Sequence, residues 1–131
     1  MRENKLSIEI EVPVESVYKF TINPRNTPLW IEEIMHEEVE GKSIGTDTKY
    51  RNIDRNGKWT RYIVTKFIPD EVFELRQLNG NYHVRYSYRK LSESKTDLTY
   101  FEWVDAGELA SPLEVSTLKR LKGILETHTK V

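Results

Sequence analysis

Leu6, Ile8, Ile10 and Val12 are apolar, and Ser7, Glu9 and Glu11 between them are polar. That period of two predicts a strand with one dry face. At Pro13 the period changes: Val14, Val17, Tyr18 and Ile22 recur at helical spacing. Pro13 suits a first helical position, where its missing N–H leaves no bond unmade. Asn23-Pro24 ends the helix, because the residue before a proline is pushed out of the helical region. A second short helical segment carries Pro28-Leu29-Trp30, and a strand follows over 34–39, ahead of a loop at 40–46 that contains Gly41 and Gly45.

From there turn signals recur at Asn56-Gly57, Pro69-Asp70, Asn79-Gly80 and Ser92-Glu93-Ser94, roughly every dozen residues, the spacing of an antiparallel meander. Asn79-Gly80 reads as a two-residue hairpin turn with positive φ at both positions. It sets Gln77 opposite Tyr82, Leu75 opposite Val84 and Phe73 opposite Tyr86. A slip of one residue would place Arg76 against Val84 and Glu74 against Tyr86, so the first register alone keeps one face dry. In the next hairpin, Leu91 opposite Lys95 sets Tyr88 against Leu98, Tyr86 against Tyr100, Val84 against Glu102 and Tyr82 against Val104. The wet face then carries His83, Arg85, Ser87 and Arg89 beside Trp103, Phe101, Thr99 and Asp97, with an Arg89–Asp97 ion pair and Arg85 over the Phe101 ring. Over 59–67 two faces compete: Tyr62 and Val64 turn inward, or Ile63, Thr65 and Phe67 do.

The last element is a long amphipathic helix. Ser111-Pro112-Leu113-Glu114 fits a capping box with proline at the first helical position. Val115, Leu118, Leu121 and Leu125 form an apolar stripe, which Ile124 widens. Lys119, Arg120, Lys122 and Lys130 complement the helix dipole toward its C-terminal half. The elements together predict an α+β domain over 1–131: a curved antiparallel sheet of six to seven strands wrapped around the C-terminal helix, with two short helices after the first strand.

Composition narrows the function classes. Lys and Arg number 20 against 21 Asp and Glu, a balance that argues against a dedicated nucleic-acid surface. No run of five like charges suggests an electrostatic tail. No apolar stretch approaches spanning length and no signal-peptide pattern stands at the start, so no integral membrane association and a cytoplasmic location are expected. The absence of cysteine excludes disulfides, thiolate nucleophiles and zinc–thiolate sites. Gly41 and Gly45 are too far apart for a phosphate cradle, and no helix follows them. His36, among glutamates, and His83, on the wet face, read as solvated; His128 reads as a partly buried helix-end residue. Nothing in their spacing asks for a metal, and no cofactor is expected.

What remains is the inward face, which carries Tyr86, Tyr88, Tyr100 and Glu102. Buried phenols need hydrogen-bond partners and a buried carboxylate needs a partner or a shifted pKa. These groups suit a pocket with apolar walls and a few orienting polar atoms. Phe101 and Trp103 on the outer face are a candidate homodimer surface.

The order of these motifs resembles the START-like, polyketide-cyclase and lipid-transport superfamily (the SRPBCC group), whose fold is the helix-grip. The resemblance rests on the strand-to-helix junction at Val12-Pro13-Val14, on Asn23-Pro24 and Pro28-Leu29-Trp30, on the loop ending Gly45-Thr46, on the hairpins and on the helix after Ser111-Pro112. It covers nearly the whole chain. Asn23 stands where many relatives carry aspartate, a difference in a cap. The resemblance implies binding of a small hydrophobic or aromatic molecule between sheet and helix. Trp30 and Ile34 would stand at the pocket mouth, with the 41–45 loop as a lid. Phe73, Leu75, Val84, Tyr86, Tyr88, Leu98, Tyr100 and Glu102 would contribute from the sheet, and Leu118, Leu121 and Leu125 from the helix. The superfamily also holds cyclase- or dehydratase-type enzymes, for which Glu102 with the pocket tyrosines is the candidate acid–base set. It further holds interaction modules of the chaperone-activator or quinone-binding kind.

Overall fold

A computed structural model describes residues 1–129, with side chains through 127. Strand β1 (Glu3–Ile10) leads into α1 (Val14–Ile22), a single tight turn (Pro24–Asn26) and α2 (Thr27–Trp30). Strands β2 (Ile34–Glu40), β3 (Lys49–Asp54), β4 (Trp59–Ile68), β5 (Val72–Gln77), β6 (Tyr82–Ser92) and β7 (Lys95–Val104) follow, then α3 (Val115–Thr129). The sheet has seven antiparallel strands in the order β1-β7-β6-β5-β4-β3-β2. The first strand therefore lies beside the last, and β2 forms the opposite edge. The change of period at Pro13 is what takes the chain between those edges: α1 packs on β6 and β7, and α2 packs on β2 and α3.

Leu118 and Leu121 are fully buried and Leu125 is 3% exposed, so the stripe of α3 lies in the core with Val12, Val17, Trp30 and Leu98. Each such side chain stabilises the fold by roughly 1.5–3 kcal/mol relative to exposure. The expected registers hold at Leu75–Val84, Phe73–Tyr86, Tyr88–Leu98, Tyr86–Tyr100, Val84–Glu102 and Tyr82–Val104. The ion pair of Arg89 with Asp97 forms at 3.2 Å. In β4 both candidate faces contribute. Tyr62 and Val64 turn inward, a bulge between Val64 and Lys66 shifts the register, and Phe67 then turns inward onto Phe73 and Tyr18.

Four local expectations are corrected. Pro13 lies one residue outside α1, as its N-cap. Positive φ occurs at Gly57 (80°) and Asp70 (64°), not at Asn79 or Gly80; the register of that hairpin is held by its dry face and not by its turn. Leu91 does not pair with Lys95, because a bulge between Lys90 and Ser92 sets Ser92 opposite Lys95 and leaves Leu91 exposed. Finally, α3 begins at Val115, so Ser111-Pro112-Leu113-Glu114 is the approach to the helix, with a bend at Ser111, and no capping box. Val115 is 48% exposed and leaves the stripe. The His128 side chain and Lys130 lie outside the described residues.

Candidate functional site

Between the concave face of the sheet, the α2–β2 connection and the approach to α3 lies a cavity of about 700 Å³. Phe73, Leu75 and Val84 form apolar wall, and Tyr50, Tyr62, Tyr82, Tyr86 and Tyr100 bring phenols to it. Alternation explains this concentration. Every second residue of β3, β4, β6 and β7 faces the same side, and at these positions the sequence puts tyrosine where a simpler core would carry leucine.

Two of the carboxyl groups that line the cavity come from strands near opposite edges of the sheet. Glu102 on β7 is 2% exposed. Its Oε2 accepts from Asn4 Nδ2 of β1 at 2.8 Å and from the backbone N–H of Leu113 at 2.7 Å, and its Oε1 accepts from the Tyr82 hydroxyl at 2.7 Å. Asn4 also donates to the Leu113 carbonyl at 3.0 Å. Glu102 thus ties β1, β6 and the approach to α3 together. Glu37 on β2 accepts from Thr27 Oγ1 at 2.6 Å and from Asn52 Nδ2 at 3.0 Å. Burial raises its pKa above the usual carboxylate value, against those two hydrogen bonds and the charge of His36, which lower it.

Burial also raises the tyrosines, Tyr62 to about 12 and Tyr82, Tyr86 and Tyr100 well above their ordinary value. They therefore act as neutral hydrogen-bond donors. Tyr50 donates to the Ile22 carbonyl at 2.6 Å, and Tyr88 meets Thr21 Oγ1 at 2.6 Å. Tyr86 is 7% exposed and its hydroxyl has no hydrogen-bond partner among the described residues. At the rim Arg120 pairs with Glu32, with Glu33 and Glu114 nearby.

Of the expected site residues, Ile34, Phe73, Leu75, Val84, Tyr86, Tyr100 and Glu102 line the cavity. Trp30, Tyr88, Leu98, Leu118, Leu121 and Leu125 do not; they are buried core beside it. The 41–45 loop does not line it either; its Ile44 packs on the core instead. Sequence reasoning missed Glu37, Thr27, Asn52 and Tyr50, and left Tyr62 on one of two candidate inward faces. A signal for Glu37 existed, since it shares the face of Val39 two residues on. His36 is exposed, whereas His83 is not solvated as expected. Its side chain is 15% exposed, stacks on Trp103 at 4.8 Å and meets Asp105 Oδ2 at 3.0 Å. Arg85 lies over Phe101 and Trp103 at 5.8 and 5.2 Å, and Lys5 lies over Phe101 at 5.9 Å. The outer rings are therefore half-buried beneath these cations.

A pH test follows from Glu37. Its folded pKa lies above the unfolded one, so between the two values the folded state binds more protons. Wild-type stability should then fall as pH rises through that window. Glu37→Gln carries no such titration. In urea unfolding the variant should gain on wild type as pH rises above the ordinary carboxylate range; a gain on acidification would contradict the raised pKa.

No helix among the described residues is long and apolar enough to cross a membrane. No family model matches the sequence, and no curated protein matches it. Solved structures do match. A START superfamily protein from Mycobacterium smegmatis superposes with a TM-score of 0.67 at 16% identity, covering 99% of this chain and 98% of that one. A conserved protein of unknown function from Enterococcus faecalis gives 0.74 at 14% identity, over 96% and 72%. The di-domain ARO/CYC StfQ of the steffimycin biosynthetic pathway gives 0.71 at 14% identity, over 97% of this chain and 46% of that one. These superpositions, together with the seven-stranded antiparallel sheet and the C-terminal helix, give the chain the START-like, helix-grip fold.

Proposed function

We propose that this protein binds a small, largely apolar organic molecule in the cavity between the sheet and the approach to α3. The observation that carries the reading is a cavity of about 700 Å³ to which Tyr86 brings a hydroxyl without a partner among the described residues. Ligand sites commonly measure about 300–1,000 Å³ and combine apolar walls with a few polar atoms. Ile34, Phe73, Leu75, Val84, Tyr86 and Tyr100 are the assigned contacts, with apolar burial contributing roughly 25 cal/mol per Å².

Binding is preferred to acid–base catalysis because of Glu102. An ionised carboxylate offers about four acceptor directions, and three are already taken by Asn4, Leu113 and Tyr82. Such a group holds structure and is poorly placed to exchange a proton with a substrate. The likeness to an ARO/CYC protein supports the ligand cavity without requiring its chemistry here. Native mass spectrometry of freshly purified protein tests the reading. A small-molecule adduct released on unfolding is expected; bare protein that takes up no apolar compound would overturn it.

A further inference from the structure

The charge around the cavity is lopsided. Glu37 and Glu102 lie within it, Glu32, Glu33 and Glu114 stand along its rim, and Arg120 is the one cation among its described lining residues. The Arg120 guanidinium is engaged by Glu32, so little positive charge is left for an anionic ligand. The two inner carboxyls also differ in what they can still accept. Glu102 has three protein donors, whereas Glu37 has one on each oxygen, from Thr27 and Asn52. About four acceptor directions per carboxylate leave two of Glu37's unfilled. Tyr86, 7% exposed and without a hydrogen-bond partner among the described residues, is within electrostatic reach of both carboxyls. Tyr50 and Tyr62, which also line the cavity, feel the charge of Glu37. Phenol rings around an incompletely satisfied carboxylate favour a cation, through the ring quadrupole and through charge-assisted hydrogen bonding.

We propose that the ligand is an organic amine, with an aromatic or alicyclic body against Phe73, Leu75 and Val84 and its ammonium on Glu37, and that the cavity rejects carboxylates, fatty acids included. The inference rests on the ligand-binding reading above and narrows it to one chemical class. A carboxylate in the same place would meet Glu37 and Glu102 in a medium that screens like charges poorly.

Calorimetric titration with naphthylethylamine, naphthylethanol and naphthylacetate separates the possibilities, because the three share one ring system and differ in head-group charge. At about pH 8 the amine is still cationic and the acetate anionic. The amine should bind roughly tenfold more tightly than the alcohol, and the acetate more weakly than both. In Glu37→Gln the amine should lose about tenfold while the alcohol changes by less than about twofold; retained alcohol binding shows that the variant is folded. Equal affinities for the three probes, tighter binding of the acetate, or amine binding indifferent to Glu37→Gln would each overturn the amine assignment and leave a ligand cavity standing. Failure of all three probes would overturn it as well, and a bare mass in native spectrometry would then remove the ligand-binding reading too.

Discussion

Glu102→Ala is expected to destabilise the protein by roughly 2–6 kcal/mol, the cost of leaving two buried donors unpaired. The carboxyl is 2% exposed and three donors converge on it from three parts of the chain: Asn4 in β1, Tyr82 in β6 and the Leu113 amide ahead of α3. Alanine would leave the Leu113 N–H and the Tyr82 hydroxyl to find water or go unpaired, at about 1–3 kcal/mol for each buried donor. Asn4 would keep its bond to the Leu113 carbonyl. Glu102→Gln is the informative contrast. With its oxygen toward Asn4 and Leu113 and its amide nitrogen toward Tyr82, glutamine satisfies all three, provided the Tyr82 hydroxyl accepts and turns its proton to Tyr100 at 3.3 Å. Its expected loss is about 1 kcal/mol, the net worth of an ordinary hydrogen bond. Urea midpoints of the three proteins give the comparison, and amide exchange at Leu113 should quicken in the alanine variant alone. Equal losses for alanine and glutamine would show that the site needs charge and not acceptors.

The same carboxylate shows where sequence reading ends. Strand registers were legible at Val84–Glu102 and its neighbours because only one pairing keeps Arg76, Glu74 and Arg85 off the dry face, and side-chain alternation admits no intermediate. The turns were less legible, since a turn adapts to a register fixed elsewhere: Asn79-Gly80 carries a strong local preference for positive φ that the hairpin does not use. Ser111 to Glu114 has the composition of a helix start. Yet the Leu113 amide is taken by Glu102, a partner eleven positions away in sequence, and no local rule sees that. The cavity was half legible for a related reason. Tyr86, Tyr100 and Glu102 sit in a clean alternation that marks them as inward. Glu37 sits in the run His36-Glu37-Glu38, where the rarity of buried glutamate outweighs the parity it shares with Val39. Its satisfaction by Thr27 and Asn52 depends on α2 packing against β2 and on β3 lying beside it in the sheet, which is a property of the fold. His83 was misread likewise, because stacking on Trp103 shields a position that alternation places on the wet face.

Trp30→Ala should cost about 3–5 kcal/mol, the range for truncating a large buried aromatic, whereas Trp30→Phe should cost far less. Trp30 is 1% exposed and meets Tyr86 edge-on, with ring centroids 6.3 Å apart and planes at 82°. Its Nε1 finds no acceptor among the described residues, so phenylalanine removes no hydrogen bond to them and leaves only the smaller of two possible voids. The loss in alanine reaches beyond the void. Helix α2 has four residues, too few to persist on local hydrogen bonds, and it is held by Trp30 below and by the Thr27–Glu37 bond above. Releasing Trp30 loosens α2 and with it one of the two donors on Glu37. Trp30→Ala should therefore weaken amine binding although Trp30 does not line the cavity, while Trp30→Phe should leave it close to wild type. Urea unfolding and calorimetry on both variants measure the two effects separately. Loss of stability in Trp30→Ala without any loss of binding would mean that Glu37 is positioned by Asn52 and the sheet alone.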